Sequence, residues 1–240
     1  MKTTLLIPTR NEIDGVRQIM PKVVHEWVDE IIVVDGRSTD GTREYFLEHG
    51  YRVIDQKSIG ICGAYWEGMA ASTGDVIIPF SPDGNSLPEL IPALVQKMEE
   101  GFDMVTASRY VDGAKSEDDD FVTSLGNWIF TKTANLLFGG NCTDSLVMLR
   151  AFRKDLIDRL EMKDKKYPVF EYVLTIRCAK KKLRVADIPG DEPVRIGGKR
   201  KMHPLYNGAA LLWVLLRETF VWHPKPSYAP KTAPTRRQDQ

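Results

Sequence analysis

The sequence predicts an α/β fold: a doubly wound, mostly parallel sheet with helices on both faces, followed by a C-terminal apolar helix. Three observations predict it. Short apolar runs that stop at Pro, Asp or Gly recur through the first half, as buried parallel strands do. Helix-like stretches alternate with them, the pattern of strand–crossover–strand units. The 240 residues, 42% hydrophobic and 28% charged, suit one domain or one domain with a small appendage.

The elements follow in order. Thr3 to Ile7 is an apolar run closed by Pro8, and Glu30 to Val34 is another closed by Asp35-Gly36, with a helix-like stretch between. Gly41 to His49, Cys62 to Ser72 and Leu87 to Glu100 read as helices, alternating with strands at Tyr51 to Asp55, Val76 to Phe80 and Asp103 to Ala107. Ligands of such sheets bind beyond the carboxyl ends of the strands. Pro8 to Glu12, Asp35 to Thr42 and Ser81 to Ser86 are therefore expected around one crevice. Beyond Gly113 an acidic run, Glu117 to Asp120, precedes a helix at Phe121 to Phe138, and Leu146 to Phe152 is a strand candidate. Tyr167 to Ala179 reads as a helix, Leu183 to Asp187 as a strand, and Pro189 to Met202 as a polar loop carrying Arg195, Lys199, Arg200 and Lys201. Pro204 to Trp222 is an apolar helix rich in Leu and Trp. The proline-rich, polar tail after it has no means of burying a core and is expected to be disordered.

Composition excludes some functions. Lys plus Arg and Asp plus Glu are 33 each, a net charge of zero, so nothing global favours nucleic acid or an acidic membrane surface. Cys62, Cys142 and Cys178 are odd in number and lack CxxC spacing, which speaks against a disulfide framework or a zinc cluster and for a reduced, cytoplasmic setting. No leader-like segment precedes the first strand. The longest apolar stretch, Gly208 to Leu216, falls well short of the roughly 20 residues of a spanning helix.

Several motifs carry chemistry. Ile7-Pro8-Thr9-Arg10-Asn11-Glu12 is followed by Val33-Val34-Asp35-Gly36-Arg37-Ser38-Thr39-Asp40-Gly41-Thr42. A strand-end aspartate can accept from a ring N–H or from ribose hydroxyls, while Thr39-Asp40 suits a helix cap. Gly60-Ile61-Cys62-Gly63-Ala64-Tyr65 lets a helix start lie close to a ligand. Asp83-Gly84-Asn85, before Leu87-Pro88-Glu89, offers a carboxylate and an amide in what is otherwise an ordinary turn. Arg109, in Ser108-Arg109-Tyr110, has a fork suited to phosphate oxygens, and a solvated arginine after a strand is the plainer reading. Asp144-Ser145 precedes Leu149-Arg150-Ala151-Phe152, where a turn cap and a site residue are both open readings, and Phe170-Glu171 opens the next helix.

In order and spacing these segments resemble family-two glycosyltransferases of the GT-A (Rossmann-like) fold. The nearest likeness is to polyprenyl-phosphate, dolichol-phosphate type, mannosyl- and glucosyltransferases. The resemblance spans about Met1 to Met202 and is most specific through the first 115 residues. It implies a GT-A domain at 1–202, with a nucleotide-sugar half at 1–115 and an acceptor half at 116–202, then an interfacial helix at 203–223 and the tail at 224–240. It implies inverting transfer of a hexose from a donor of the GDP-mannose or UDP-glucose type to polyprenyl phosphate. Pro8, Thr9, Asn11, Glu12, Asp35, Gly60 and Asp83 would bind the nucleotide sugar. Asp83 and Asn85 would hold a divalent metal, Mg2+ or Mn2+, and Arg109, Arg195 and Lys201 the acceptor phosphate. Asp83, Asp144 and Arg109 would be the catalytic group. Gly36 and Ser81 depart from the family pattern, which has carboxylates there. Peripheral contact with the cytoplasmic face of a membrane is expected, through Trp213, Phe220 and Trp222. Two rivals remain from sequence: transfer to a hydroxyl, with Asp144 or Glu171 as base, and a nucleotide-binding module that has lost turnover.

Overall fold

The computed structural model describes residues 1–162, 167–197 and 204–224. Seven strands form one sheet in the order β3-β2-β1-β4-β6-β5-β7. They are β1 Thr3–Thr9, β2 Glu30–Asp35, β3 Arg52–Asp55, β4 Val76–Pro79, β5 Met104–Ser108, β6 Arg150–Arg153 and β7 Val185–Pro189. The helices are α1 Ile13–Ile19, α2 Thr42–Glu48, α3 Gly60–Ala71, α4 Leu90–Glu99, α5 Phe121–Phe138, α6 Leu156–Arg159, α7 Phe170–Lys180 and α8 Pro204–Phe220.

Side-chain alternation along each strand separates two cores. Leu5 and Ile7 of β1 join Val33, Ile78, Phe46, Ile91 and Leu94 on the face covered by α1, α2 and α4. Leu6 points the other way and packs with Ile32, Val34, Tyr65, Phe152, Phe170 and Leu215 under α3, α7 and α8. Both faces are thus covered, which is why the strands read as continuous apolar runs rather than as alternating ones.

β6 differs from its neighbours, running antiparallel to both β4 and β5, with Ile77 opposite Phe152 and Val105 opposite Ala151. It enters the sheet between strands more than forty residues earlier in the chain, so hydropathy alone could not place it. Its strand begins at Arg150 rather than at Leu146, because 146–149 are held in a loop by Asp144 and Arg150. α4 starts at Leu90 rather than Leu87, since Leu87-Pro88 make a turn that receives the Leu90 and Ile91 amides.

α5 is bounded as its sequence predicts. Asp120 Oδ1 accepts from the Thr123 amide at 2.7 Å, and Gly139 closes the helix with φ 71°. Its faces are inverted relative to an ordinary surface helix. Asn127 and Thr131 face inward with Ala134, while Phe121, Val122, Leu125, Trp128, Ile129 and Leu136 are exposed. α8 packs on α5 and α7 through Leu211, Val214, Leu215 and Glu218 and leaves Leu205, Leu212, Trp213, Leu216 and Phe220 outside. Among the described residues no helix is long and apolar enough to cross a membrane.

Candidate active site

The carboxyl ends of β1 to β4 open onto a cavity of about 630 Å3. The β1 end contributes Pro8, Thr9, Arg10 and Glu12, the β2 end Gly36 and Arg37, and the β3 end Gln56 and Ser58. α3 adds Gly60, Ile61 and Ala64 from its first turns, and the β4 end Ser81 and Asp83. Met148 and Arg195 close the far side. A second cavity of about 120 Å3 adjoins it and shares Ser81, Asp83, Met148 and Arg195. Its remaining wall includes Asn85, Arg109 and Glu192. Asp83 and Arg195 therefore stand at the junction of the two.

Hydrogen bonds between loops fix the rim of the larger cavity. The Asn11 amide donates to Ser38 Oγ at 3.0 Å, and Asn11 Oδ1 accepts from the Thr39 amide at 2.8 Å. Asp40 takes the Ile13 amide on one oxygen and the Thr42 amide on the other, so it ties the start of α2, whose N-cap position is Gly41, to α1. Asn11 thus braces two loops and is not among the lining residues. Asp35 is 1% exposed and also sits off the lining. Its Oδ2 accepts from the Ser38 amide at 3.0 Å, while its Oδ1 is buried without a hydrogen-bond partner among the described residues, as is Thr9 Oγ1. Buried oxygens of this kind are open to a partner such as a ligand.

At the junction, Asp83 Oδ2 pairs with Arg195 Nη1 at 2.9 Å, and Oδ1 accepts from the Asn85 amide at 3.1 Å. The Ile196 amide donates to the Asp83 carbonyl, which lays the 190–197 segment across the turn. Gly84 has φ 97°, and a Cβ there would meet Ile196 at 2.7 Å, so only glycine suits this crossing. Asn85 Nδ2 donates to Asp118 Oδ2 at 2.9 Å, and its Oδ1 is buried without a partner among the described residues.

No group of three His, Cys, Asp or Glu poised for a metal occurs among the described residues. A hard divalent cation, however, needs only one or two protein oxygens when substrate phosphates and water complete its shell. The Asp83 carboxylate and the unsatisfied Asn85 Oδ1 are such oxygens, and on that chemistry they fit Mg2+ or Mn2+ held largely by a diphosphate.

Arg109 and Asp144 are brought together as a buried ion pair. Arg109 Nε and Nη2 donate to Asp144 at 2.7 and 3.1 Å, and Nη1 faces Asp119 at 3.1 Å and Glu192 at 3.0 Å. Burial opposes the charge on Arg109, but these carboxylates raise its pKa well above the ordinary value. Burial also opposes the charge of Asp144. The Arg109 cation and hydrogen bonds from Asn127 and the Leu146 amide outweigh it and hold the carboxyl below its usual range. Tyr110 is pushed up to about 12, chiefly by burial and by its hydrogen bond to Asp119. With all three of its nitrogens already facing carboxylates, Arg109 is not poised for an acceptor phosphate. Asp119 and Glu192, which complete this cluster, carry no motif. Lys201, expected at the acceptor site, lies outside the described residues, as do 225–240 of the tail.

The sheet order with one antiparallel strand, and a cavity at the strand ends carrying an aspartate turn, define a GT-A glycosyltransferase. The profile of glycosyl transferase family 2 matches residues 4–161, and the chain belongs to that family. It is 27% identical over 213 residues to a dolichol-phosphate mannosyltransferase of Pyrococcus furiosus, covering 84% of this chain and 59% of that protein. It thus spans about three fifths of that relative's length. It is 26% identical to a dolichyl-phosphate hexose transferase of Haloferax volcanii, covering 86% and 89%. Among solved structures, glucosyl-3-phosphoglycerate synthase of Mycobacterium tuberculosis, in complex with Mn2+, UDP and phosphoglyceric acid, superposes with a TM-score of 0.66. The identity is 25%, and the match covers 91% of this chain and 78% of that one.

Proposed function

We propose that the protein transfers a hexose from a nucleoside-diphosphate sugar to a polyprenyl phosphate, with inversion at the anomeric carbon. The observation that carries this reading is the junction of the two cavities, where Asp83 and Arg195 meet. The larger cavity suits the nucleotide sugar, with its unsatisfied Thr9 and Asp35 oxygens nearby and the amino end of α3 in its wall. The smaller one opens beside Arg195, a cation that suits an acceptor phosphate. A phosphate oxygen would form the new bond to the anomeric carbon as the bond to the diphosphate oxygen breaks, the nucleoside diphosphate leaving with the electron pair. A divalent cation on Asp83 and Asn85 would neutralise charge building on that leaving group.

An ionised phosphate brings its own nucleophilic oxygen and needs no strong base. Transfer to a hydroxyl would need one, and the two candidates are badly placed for it. Asp144 is clamped by Arg109 with its proton affinity lowered, and Glu171 Oε1 accepts from Tyr65 at 2.6 Å in the core. We assign Arg109 and Asp144 to positioning: they hold the 109–119 and 144–147 segments that wall the acceptor side.

A lipid acceptor also accounts for the inverted faces of α5 and for the apolar outer face of α8. Their outward apolar residues, with Trp128, Trp213 and Tyr206 among them, suit peripheral insertion at a membrane interface on the cytoplasmic side. The test is transfer from GDP-mannose and UDP-glucose to a short polyprenyl phosphate and to a sugar hydroxyl, with and without Mn2+. Metal-dependent transfer to the phosphate is expected; transfer only to the hydroxyl, or none despite nucleotide binding, would overturn the reading.

A further inference from the structure

Gly36-Arg37 is the part of the larger cavity that the family pattern does not explain. Arg37 has φ 65°, a left-handed conformation that glycine adopts freely and a long side chain does not. The loop imposes this. Its neighbour Ser38 is fixed on both sides, by its amide to Asp35 Oδ2 and by its Oγ accepting from the Asn11 amide. Gly36 is equally constrained: a Cβ would lie 3.1 Å from Gln56 Oε1, 3.2 Å from Arg10 Cβ and 3.3 Å from the Thr9 carbonyl. No carboxylate can replace Gly36 without displacing these neighbours. The strand end therefore presents backbone at Gly36 and an exposed guanidinium at Arg37, which makes no ion pair or hydrogen bond among the described residues. Strained backbone kept at a ligand cavity is a mark of function.

We infer that Arg37 is a base-specificity residue and that the donor nucleotide carries guanine, read on its O6/N7 edge. The inference rests on the nucleotide-sugar reading of this cavity. A guanidinium offers two parallel N–H donors in a rigid fork. Guanine matches it with two adjacent acceptors and no donor between them, a pairing whose energy range in nucleic-acid recognition corresponds to roughly 5- to 150-fold discrimination. Uracil places N3–H between its carbonyls, so a fork cannot take both. Adenine pairs N7 with an amino group that would face the cation.

Binding of GDP, IDP, 7-deaza-GDP, UDP and ADP to the full chain and to Arg37→Ala and Arg37→Lys, by calorimetry with Mn2+, tests this. IDP keeps O6 and N7, whereas 7-deaza-GDP lacks the N7 acceptor. GDP and IDP are expected to bind alike and about 10-fold tighter than UDP or ADP, from the lower part of that energy range. 7-Deaza-GDP should lose most of this advantage, and Arg37→Ala should abolish it, bringing GDP to the affinity of UDP. Arg37→Lys, a point charge without the fork, should restore little. UDP binding as tightly as GDP, or a GDP preference that survives Arg37→Ala, overturns the inference while leaving the donor cavity standing. Absence of binding by every nucleotide overturns both.

Discussion

Asp83 has two commitments, to Arg195 through one oxygen and to its own turn through the other. Asp83 and Asn85 would hold a divalent cation, which would offset the charge of the diphosphate, and Arg195, on the wall of the adjoining cavity, is within reach of phosphate oxygens there. Asp83→Ala should lower turnover by about 100-fold or more, the scale seen when a group that stabilises transition-state charge is lost. Near-normal turnover in a folded variant would remove Asp83 from the site. Asp144 acts differently, since it belongs to a buried cluster. Asp144→Ala leaves Arg109 short of its principal partner and is expected to cost roughly 3 kcal/mol, read as a Tm lowered by roughly 6–12 °C. The pH dependence has a definite sign. The folded pKa of Asp144 lies below its ordinary 3.8. Its contribution is therefore present in full above the ordinary carboxylate value and lost as pH falls through the depressed folded value. Acid unfolding curves of Asp144→Asn should lack that component; identical curves would contradict it.

At the scale of elements, α8 is attached by charge as well as by packing. Arg177 of α7 pairs with Glu218 through two hydrogen bonds of 3.0 and 2.8 Å, both side chains being essentially buried, and its guanidinium lies 4.3 Å from the Trp222 ring. Lys180 donates to the Glu218 and Trp222 carbonyls at the same end. Removing one partner of a buried pair typically costs about 3–5 kcal/mol. Glu218→Ala should accordingly lower Tm and loosen α8. By contrast, Trp213→Ser with Phe220→Ser alters only exposed residues and should leave Tm within a few degrees. Flotation with anionic vesicles distinguishes the roles: the double serine variant is expected to lose vesicle binding while staying folded. Retained binding would argue that the apolar face serves something other than lipid.

Across the whole molecule, what could be read from sequence was what is encoded locally. The β1 to β4 units announce themselves by apolar runs and loop residues, and α5 by the stretch from Phe121 to Phe138 that follows an acidic run. Apolar content was also enough to foresee α8. Features that depend on distant pairing could not be read this way. β6 has the composition of a strand but nothing in it specifies antiparallel insertion between β4 and β5. Arg109 looked like a phosphate ligand because Asp119 and Glu192, ten and eighty-three residues away in sequence, are ordinary acidic residues until the fold assembles them. Asp35 could be read as a strand-end carboxylate, but its burial and the hold of the Ser38 amide on one of its oxygens come from the folded loop. Even the inversion of α5 is visible only once Asn127 and Thr131 are known to face Asp144 and Ser145.

The insertion of β6 has a consequence for synthesis. When the ribosome has released β1 to β4, four strands can already pair side by side, but the β4 edge that will receive Phe152 stays open. β5 emerges next, while its native partners, β6 and β7, are still to come. The nascent chain must then carry the bare β4 edge and both edges of β5 while roughly forty more residues are made, several seconds at ordinary elongation rates. Exposed edges of this kind invite pairing with other chains. Chaperone demand during expression should therefore peak before residue 150 is translated and fall once β6 closes the sheet.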